Sequence, residues 1–541
     1  MNAELTLTEF PPVSTAQWDE AVRKDMQGAA PKWKLFYRAE DLRGLEYLDS
    51  APGQFPYTRG ARNDNDWSIR ETVCDLAAAR AALDAGADAI GFVLGAQDIG
   101  AVLDGLPLDR GAVHFEAGER APELLAALAK RPVARGSVGF EPLTDPAAAA
   151  KLIRAVLTAD FRPVTVLAHR FSLGLALAEG VEILAQLTER GFTAAEAASA
   201  MVFSLAIDSD YFREIAKLRA TRTLWARVTE SFGAAAPMVI HACTAHATKT
   251  IYDPHVNLLR ATTQAMAAAI GGADVIEVEP FDTAYRAPGE FSRHLARNTQ
   301  LILKQEAWLD RSVDAAGGSY YIETLTDTLC REAWELLREI EAAGGFLQYS
   351  ASGALAAALA KSRADREAAV GSRRTTIVGT NQYPNLQERM LPNIEREDIT
   401  PRPARIFEEI RLRTERHAAR TGRTPRILLL ESGDLKMRKA RSGFATNFFG
   451  CAGFEMQNAD TLTGDPDAIV LCSSDAEYAA FAQRVIGELR AAGRSTPVLV
   501  AGNPADSIEH LKQAGVADFI HVRTNAAETL RAWQQRLGVS Q

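Results

Sequence analysis

The sequence predicts an α/β protein: a (β/α)8 TIM barrel followed by a flavodoxin-like α/β domain. Two patterns predict it. Short apolar, β-rich runs alternate with helical stretches across residues 88–325, and a second, shorter alternation fills residues 425–541. Alanine-rich clusters at 76–82, 147–150 and 265–269 mark helices among the first set, because alanine is the strongest helix former. Eight strands with helices between them fit a closed barrel; the alternative arrangement of the same elements is an open doubly wound sheet.

The elements follow in order. Residues 1–45 read as an arm: Phe10 and two prolines precede a short amphipathic stretch around Trp18 and Val22, and Trp33, Phe36 and Tyr37 come after it. Aromatic side chains outside a core need a surface to cover, either the chain's own barrel or a partner. Residues 46–347 hold the barrel, with strands expected at 88–95, 112–118, 133–140, 162–169, 201–207, 238–245, 274–281 and 319–325. Residues 348–424 read as a linker with solvated helices. There Glu408, Glu409 and Glu415 interleave with arginines, which favours a salt-bridged face over a basic patch. Residues 425–541 carry strands at 426–431, 454–459, 467–474, 496–502 and 518–523, and a last helix from Ala526 to Leu537. Such a sheet binds ligands at the carboxyl ends of its strands.

Composition bounds the function. The chain has 541 residues and a net charge of −9, with 47% hydrophobic and 24% charged residues. That mix is globular, and the acidic balance excludes a nucleic-acid scaffold. No apolar run is long enough to span a membrane, and the first residues lack the basic and apolar regions of a secretory signal. Five scattered cysteines form no C-x-x-C pair, as expected of reduced thiols in a cytoplasm.

Common chemical motifs are absent: no P-loop, no G-x-S-x-G, no H-E-x-x-H and no G-x-G-x-x-G. His241, His246 and His255 have no spacing that suits one metal, so no metal site is expected. Cys243 and Cys472 lie in apolar strands and read as core thiols. His169 and His241 fall near the ends of expected strands, where a barrel carries its active site.

Several segments are more specific. They are 59–60 (RG), 67–70 (WSIR), 214–220 (EIAKLRA) with 224–226 (LWA), 252–260 (YDPHVNLLR), 265–273 (AMAAAIGGA), 291–300 (FSRHLARNTQ), 314–323 (DAAGGSYYIE), 339–345 (EIEAAGG) and 379–386 (GTNQYPNL). In order and over essentially the whole chain, they resemble the methylmalonyl-CoA mutase family of adenosylcobalamin-dependent enzymes. The resemblance implies a barrel that threads CoA along its axis and a C-terminal domain of the cobalamin-binding type. In active members a His of a D-x-H-x-x-G motif ligates cobalt, a barrel Tyr lies over the substrate, and Arg and His clamp it.

Against that pattern this chain departs. Alignment back from residues 453–455 puts Lys436, Arg438 and Arg441 where the family has Asp, His and Gly. Alignment forward from Asp434 puts Lys436 at the His position and Lys439 at the Gly position. No histidine lies between His417 and His510, and a protonated Lys or Arg has no lone pair for cobalt. The Tyr-bearing loop between residues 60 and 67 is missing, and Ala200 stands where active members carry a substrate-binding Arg. Ser68, Ile69 and Arg70 match the CoA-contacting stretch, and His169 falls near the substrate His.

Positive matches at 271–274 (GGAD), 280–282 (PFD), 317–319 (GGS), 440–449 (ARSGFATNFF), 471–478 (LCSSDAEY) and 515–521 (GVADFIH) resemble the small, or beta, noncatalytic subunit of heterodimeric members. The resemblance implies no catalytic residues and no cobalamin on this chain. It implies a heterodimer with a large subunit that binds adenosylcobalamin, the complex interconverting succinyl-CoA and (R)-methylmalonyl-CoA. Two alternatives remain. One is a pseudoenzyme that binds acyl-CoA or chaperones another B12 mutase. The other is a catalytic mutase with atypical cobalt ligation.

Overall fold

The computed structural model describes residues 13–26, 37–45, 47–131, 135–167 and 172–539. Nine parallel strands form the first sheet: β1 (Ser68–Val73), β2 (Ala89–Val93), β3 (Ala112–Glu116), β4 (Gly136–Val138), β5 (Phe161–Arg162), β6 (Val164–Val166), β7 (Met201–Ile207), β8 (Ile240–Thr244) and β9 (Val275–Glu277). Their spatial order is β5-β4-β3-β2-β1-β9-β8-β7-β6. The two ends, β5 and β6, are separated only by Pro163, which has no N–H to give a ladder. They are one interrupted strand, so the order returns on itself and the sheet is the expected eight-stranded barrel. The Thr165 hydroxyl donates to the Val138 carbonyl at 3.0 Å and ties β6 back to β4.

Two strand assignments change. Residues 319–325 are not a strand; they open the helix Tyr320–Ala342. Ser319 caps it, and Ile322, Thr326, Leu329, Ala333, Leu337 and Ile340 bury one helical face. The missing strand is β1, where the run Ser68-Ile69-Arg70-Glu71 hides its β character behind charges. Those charges are met in the structure, so the strand is stable between β2 and β9.

The core lies between strands and helices, with Ile69, Ile90, Phe92, Val113, Phe115, Phe203 and Trp225 inside it. Tyr211–Ser231 is the most deeply buried of the outer helices, 14 of its 21 residues being buried.

The second sheet has five parallel strands: β10 (Arg426–Glu431), β11 (Glu455–Ala459), β12 (Ala468–Cys472), β13 (Val498–Ala501) and β14 (Val516–Ile520). Its order, β11-β10-β12-β13-β14, is the flavodoxin-like one. Both faces are covered: Ile427, Leu429 and Val470 pack on one side, Leu428, Leu430 and Leu471 on the other. Continuous apolar runs are therefore what these strands need.

The intervening helix Arg405–Thr421 corrects the expectation of a solvated linker. Phe407, Glu408, Ile410, Arg411, Leu412, Thr414 and Glu415 are buried. The expected salt bridges exist but lie inside, as with Arg402 and Glu408 at 2.9 Å. In the arm, Ser14 and Gln17 form a capping box at the start of the helix Thr15–Asp25. Phe10, Trp33 and Phe36 lie outside the described residues. No helix among the described residues is long and apolar enough to cross a membrane.

Candidate functional site

Alternate residues of each strand face the barrel axis. In most such barrels bulky branched side chains fill that space. Here many inward positions are polar or small: Arg70 and Thr72 on β1, Gly91 on β2, His114 and Glu116 on β3, Ser137 on β4, Ser204 and Ala206 on β7, His241 and Cys243 on β8, Glu277 on β9. A cavity of about 1490 Å3 opens above them. Phe140, Leu167, Leu175, Leu336, Tyr349 and Leu359 give its wall apolar surface, and Glu141, Arg363, Arg366 and Glu367 line it as well.

Arg70 organises the floor. Its Nε lies 3.0 Å from Glu277 Oε2 and its Nη2 2.5 Å from Glu116 Oε1. Nη1 is 3.5 Å from both ring nitrogens of His241. Gly91 makes room for this head group, because a Cβ there would stand 2.1 Å from Thr72 Oγ1 and 2.6 Å from Arg70 Nε. His241 Nδ1 is 2.9 Å from Ser204 Oγ, and Nε2 is 3.3 Å from Glu277 Oε2. His114 Nδ1 is 2.8 Å from Ser137 Oγ. Its Nε2 is buried and has no partner.

Burial and the nearby Arg70 charge push the pKa of both histidines down, so both imidazoles are neutral. Burial alone would raise Glu277, but Arg70 and His241 outweigh it and hold the carboxyl at about 2. Burial raises Glu116, with Arg70 only partly offsetting it. Cys243 also faces inward, not into the outer core, and burial pushes its thiol up to about 12. The thiol therefore stays protonated at neutral pH. This arrangement suits hydrogen bonding to a polar head and contact with an apolar body.

Of the residues singled out in the sequence, Arg70 belongs to this floor. Ser68 starts β1, its backbone N–H donating to Asp274 at 2.9 Å, at the strand end remote from the cavity. Ile69 points outward into the core. His169 lies outside the described residues. His241 is the second residue of β8 and faces the lumen, deeper than the rim position expected for it. Sequence reasoning missed His114, Glu116, Ser137, Ser204 and Glu277. The available signal was an isolated polar residue on the inward face of an otherwise apolar strand, as at His114 and Glu116 on β3 and Ser204 on β7.

In the second sheet, the switch point lies between the carboxyl ends of β10 and β12. The chain leaves β10 through Ser432 and Gly433, and Asp434 caps the helix Leu435–Gly450 by accepting from Met437 N–H at 2.8 Å. The Ser473 hydroxyl bridges to the Ser432 carbonyl at 2.8 Å and to Glu477 at 2.7 Å. The hydroxyls of Ser474, at 2.6 Å, and Ser473 hold the Glu477 carboxyl down at about 2. Gly433 has φ +77°, and a Cβ on it would lie 2.2 Å from Glu477 Oε2. Lys439 pairs with Glu431 at 2.6 Å, Arg438 with Asp460 at 3.4 Å and Arg441 with Asp475 at 2.9 Å; Lys436 is exposed. The residues present do not fit cobalamin. The protonated Lys436, Arg438, Lys439 and Arg441 at the motif positions offer cobalt no lone pair, and a Cβ on Gly433 would already meet Glu477. Among the described residues, no cluster of His, Cys, Asp and Glu could hold a metal ion.

Residues 168–424 match the family model described as methylmalonyl-CoA mutase. The chain is 36% identical to a methylmalonyl-CoA mutase small subunit of Porphyromonas gingivalis, over 99% of both chains. It is 34% identical to a probable methylmalonyl-CoA mutase small subunit of Mycobacterium tuberculosis, over 90% of this chain and 88% of that one. A methylmalonyl-CoA mutase small subunit of Streptomyces virginiae is 32% identical over 98% of each.

Proposed function

The chain belongs to the methylmalonyl-CoA mutase family, and from that we propose that it is a noncatalytic small subunit. It pairs as a heterodimer with a large subunit, which carries adenosylcobalamin, and stabilises it. The complex interconverts succinyl-CoA and (R)-methylmalonyl-CoA. In this reading residues 1–45 are a subunit-contact arm, 46–347 a mutase-like barrel, 348–424 a connecting segment and 425–541 a degenerate cobalamin-binding-type domain. One observation carries the proposal. At the place of the family's cobalt ligand, the helix Leu435–Gly450 presents cations, three of them in ion pairs with Glu431, Asp460 and Asp475.

The experiment is co-expression with a candidate large subunit, followed by size-exclusion chromatography read at a cobalamin absorbance band. The expected result is one heterodimer peak carrying cobalamin, while this chain purified alone carries none and turns over no substrate. Stoichiometric cobalamin and turnover in the isolated chain would overturn the proposal.

A further inference from the structure

One helix outside the barrel, Ala354–Gly371, forms part of the wall of the lumen cavity. The lining runs from the floor through loops at the carboxyl ends of the strands, such as Glu119 and Glu141, to this helix. There Ala358, Leu359, Ser362, Arg363, Arg366 and Glu367 face the space. Steps of four residues place them on one helical face. That face meets about 1490 Å3 of open volume instead of packed side chains. The opposite face, with Ala357, Ala360, Ala364 and Ala368, is exposed. Of 18 residues, only Val370 and Gly371 are buried, against 14 of 21 in the helix Tyr211–Ser231.

Only the ends of this helix are held. Leu355 packs on the barrel core, and Val370 belongs to the core of the second sheet. The Val370 carbonyl accepts from Asn381 Nδ2 at 3.2 Å. Between the ends, the described ion pairs stay within the helix: Lys361 with Asp365 at 2.6 Å and Arg363 with Glu367 at 2.9 Å. A helix in a folded chain draws most of its stability from the face it buries. Here the middle buries none, so its displacement breaks few contacts. The first joint is Gly353, which precedes the helix at φ +84°. No atom lies within 4 Å of the place its Cβ would take, so backbone conformation alone favours glycine there. Two more left-handed glycines, Gly344 and Gly345, open the short helix Gly345–Ala351 before it.

We propose that the helix Ala354–Gly371 is a lid on the barrel lumen. It rocks outward about its two held ends, and Gly353 absorbs the change in backbone angle. The lid controls which solutes reach the polar floor. Cys243 on β8 faces the lumen and is partly accessible from it, so its thiol reports opening. This device stands apart from the subunit role: it requires neither a large subunit nor cobalamin.

Thiol labelling of the full-length chain tests it. The reagent is fluorescein mercuric acetate, a bulky mercurial whose mercury replaces the thiol proton, and peptide mass spectrometry reads the rate at each cysteine. Cys74 is exposed and sets the ungated rate. Cys451 and Cys472 are buried in the second domain, and Cys330 packs on the barrel core, so these three report unfolding. The expected result is that Cys243 labels more slowly than Cys74. Gly353→Ala should speed Cys243 by about tenfold, because a left-handed alanine strains the closed position. Gly233→Ala is the control: it follows the helix Tyr211–Ser231, also has φ +84°, and its Cβ would meet nothing within 4 Å. It adds the same strain away from the lid and should leave the Cys243 rate at the parent's value. Cys243 labelling as fast as Cys74 in the parent, or an unchanged rate in Gly353→Ala, would overturn the lid. So would an equal gain in Gly233→Ala, or a gain at Cys330, Cys451 and Cys472 in step with Cys243, because general unfolding would then be the cause.

Discussion

Arg219, in the helix Tyr211–Ser231, is wholly buried, and two carboxylates meet its charge. Nε lies 2.9 Å from Asp314 Oδ1, and Nη2 lies 2.9 Å from Glu323 Oε1. Thr326 accepts from Nη1 at 3.0 Å, and the Gly318 N–H donates to Glu323 at 2.8 Å. Arg59 approaches the same acids, at 3.0 Å from Asp314. One cluster thus pins the segment before β1, the long helix and the loop before the helix Tyr320–Ala342. Removing one partner of a buried pair leaves charge without compensation. Glu323→Ala should therefore destabilise the chain by about 3–5 kcal/mol, because both arginines keep only Asp314. Urea unfolding measures this; a midpoint unchanged from the parent would show that water enters and meets the charge.

At the scale of elements, a clamp holds the loop after β8 to the segment leading into the helix Arg405–Thr421. His246 Nδ1 is 2.6 Å from Glu279, and Nε2 is 2.8 Å from Asp398. Asp398 also takes Arg402, and Lys249 donates to the Glu279 carbonyl at 2.9 Å. Burial would lower the His246 pKa, but the two carboxylates outweigh it and raise it above 6.5. A raised folded value stabilises the fold fully below the unfolded value of about 6.5 and loses that stability as pH rises through the folded one. For Asp398, burial is outweighed by its bonds to His246 and Thr400, so its carboxyl is depressed. Its contribution is present above the ordinary carboxylate range and is lost only in acid, as pH falls through the folded value. Urea midpoints should fall from neutral to alkaline pH in the parent chain, and His246→Gln should flatten that fall. An equal slope in both would place the titrating group elsewhere.

Elements differed in how legible they were. The central strands of the second sheet were readable because burial on both faces requires long apolar runs, as at 426–431 and 467–474, whereas β11 at the edge is largely exposed. β1 was not, because the charges of Arg70 and Glu71 are met by Glu116, Glu277, Arg293 and Arg297, none of them local. The run 319–325 misled because Tyr320, Tyr321 and Ile322 favour strands, while the deciding helical spacing lies beyond it, from Thr326 onward. The lumen floor stayed hidden for the same reason as β1. His114 and Glu277 are 163 positions apart, and only barrel closure brings them to one Arg70.

Across the whole molecule, the barrel and the second sheet are joined through the helix Arg405–Thr421, and Glu415 is its hub. Tyr252, from the loop after β8, donates its hydroxyl to Glu415 Oε1 at 2.8 Å. Met390 and Leu391 N–H donate to Oε2 at 3.0 and 2.8 Å. One turn away, Gln534 of the last helix, Ala526–Arg536, donates to the Ile410 carbonyl at 2.5 Å and to Thr414 Oγ1 at 2.9 Å. Arg411 lies over the Tyr252 ring at 4.1 Å. One helix therefore takes hydrogen bonds from the barrel on one side and from the second domain on the other. If this strap transmits cooperativity, the parent chain should melt in a single calorimetric transition. Glu415→Ala leaves the Tyr252 hydroxyl and two backbone N–H groups buried without acceptors, each a loss of about 1–3 kcal/mol. That loss falls on the barrel side of the strap and leaves the Gln534 bonds intact. The variant should melt in two transitions, the second near the parent's temperature, because the core of the second sheet is untouched. A single transition shifted as a whole would mean that the two units are coupled through other contacts, and that the hydrogen bonds at Glu415 stabilise without transmitting.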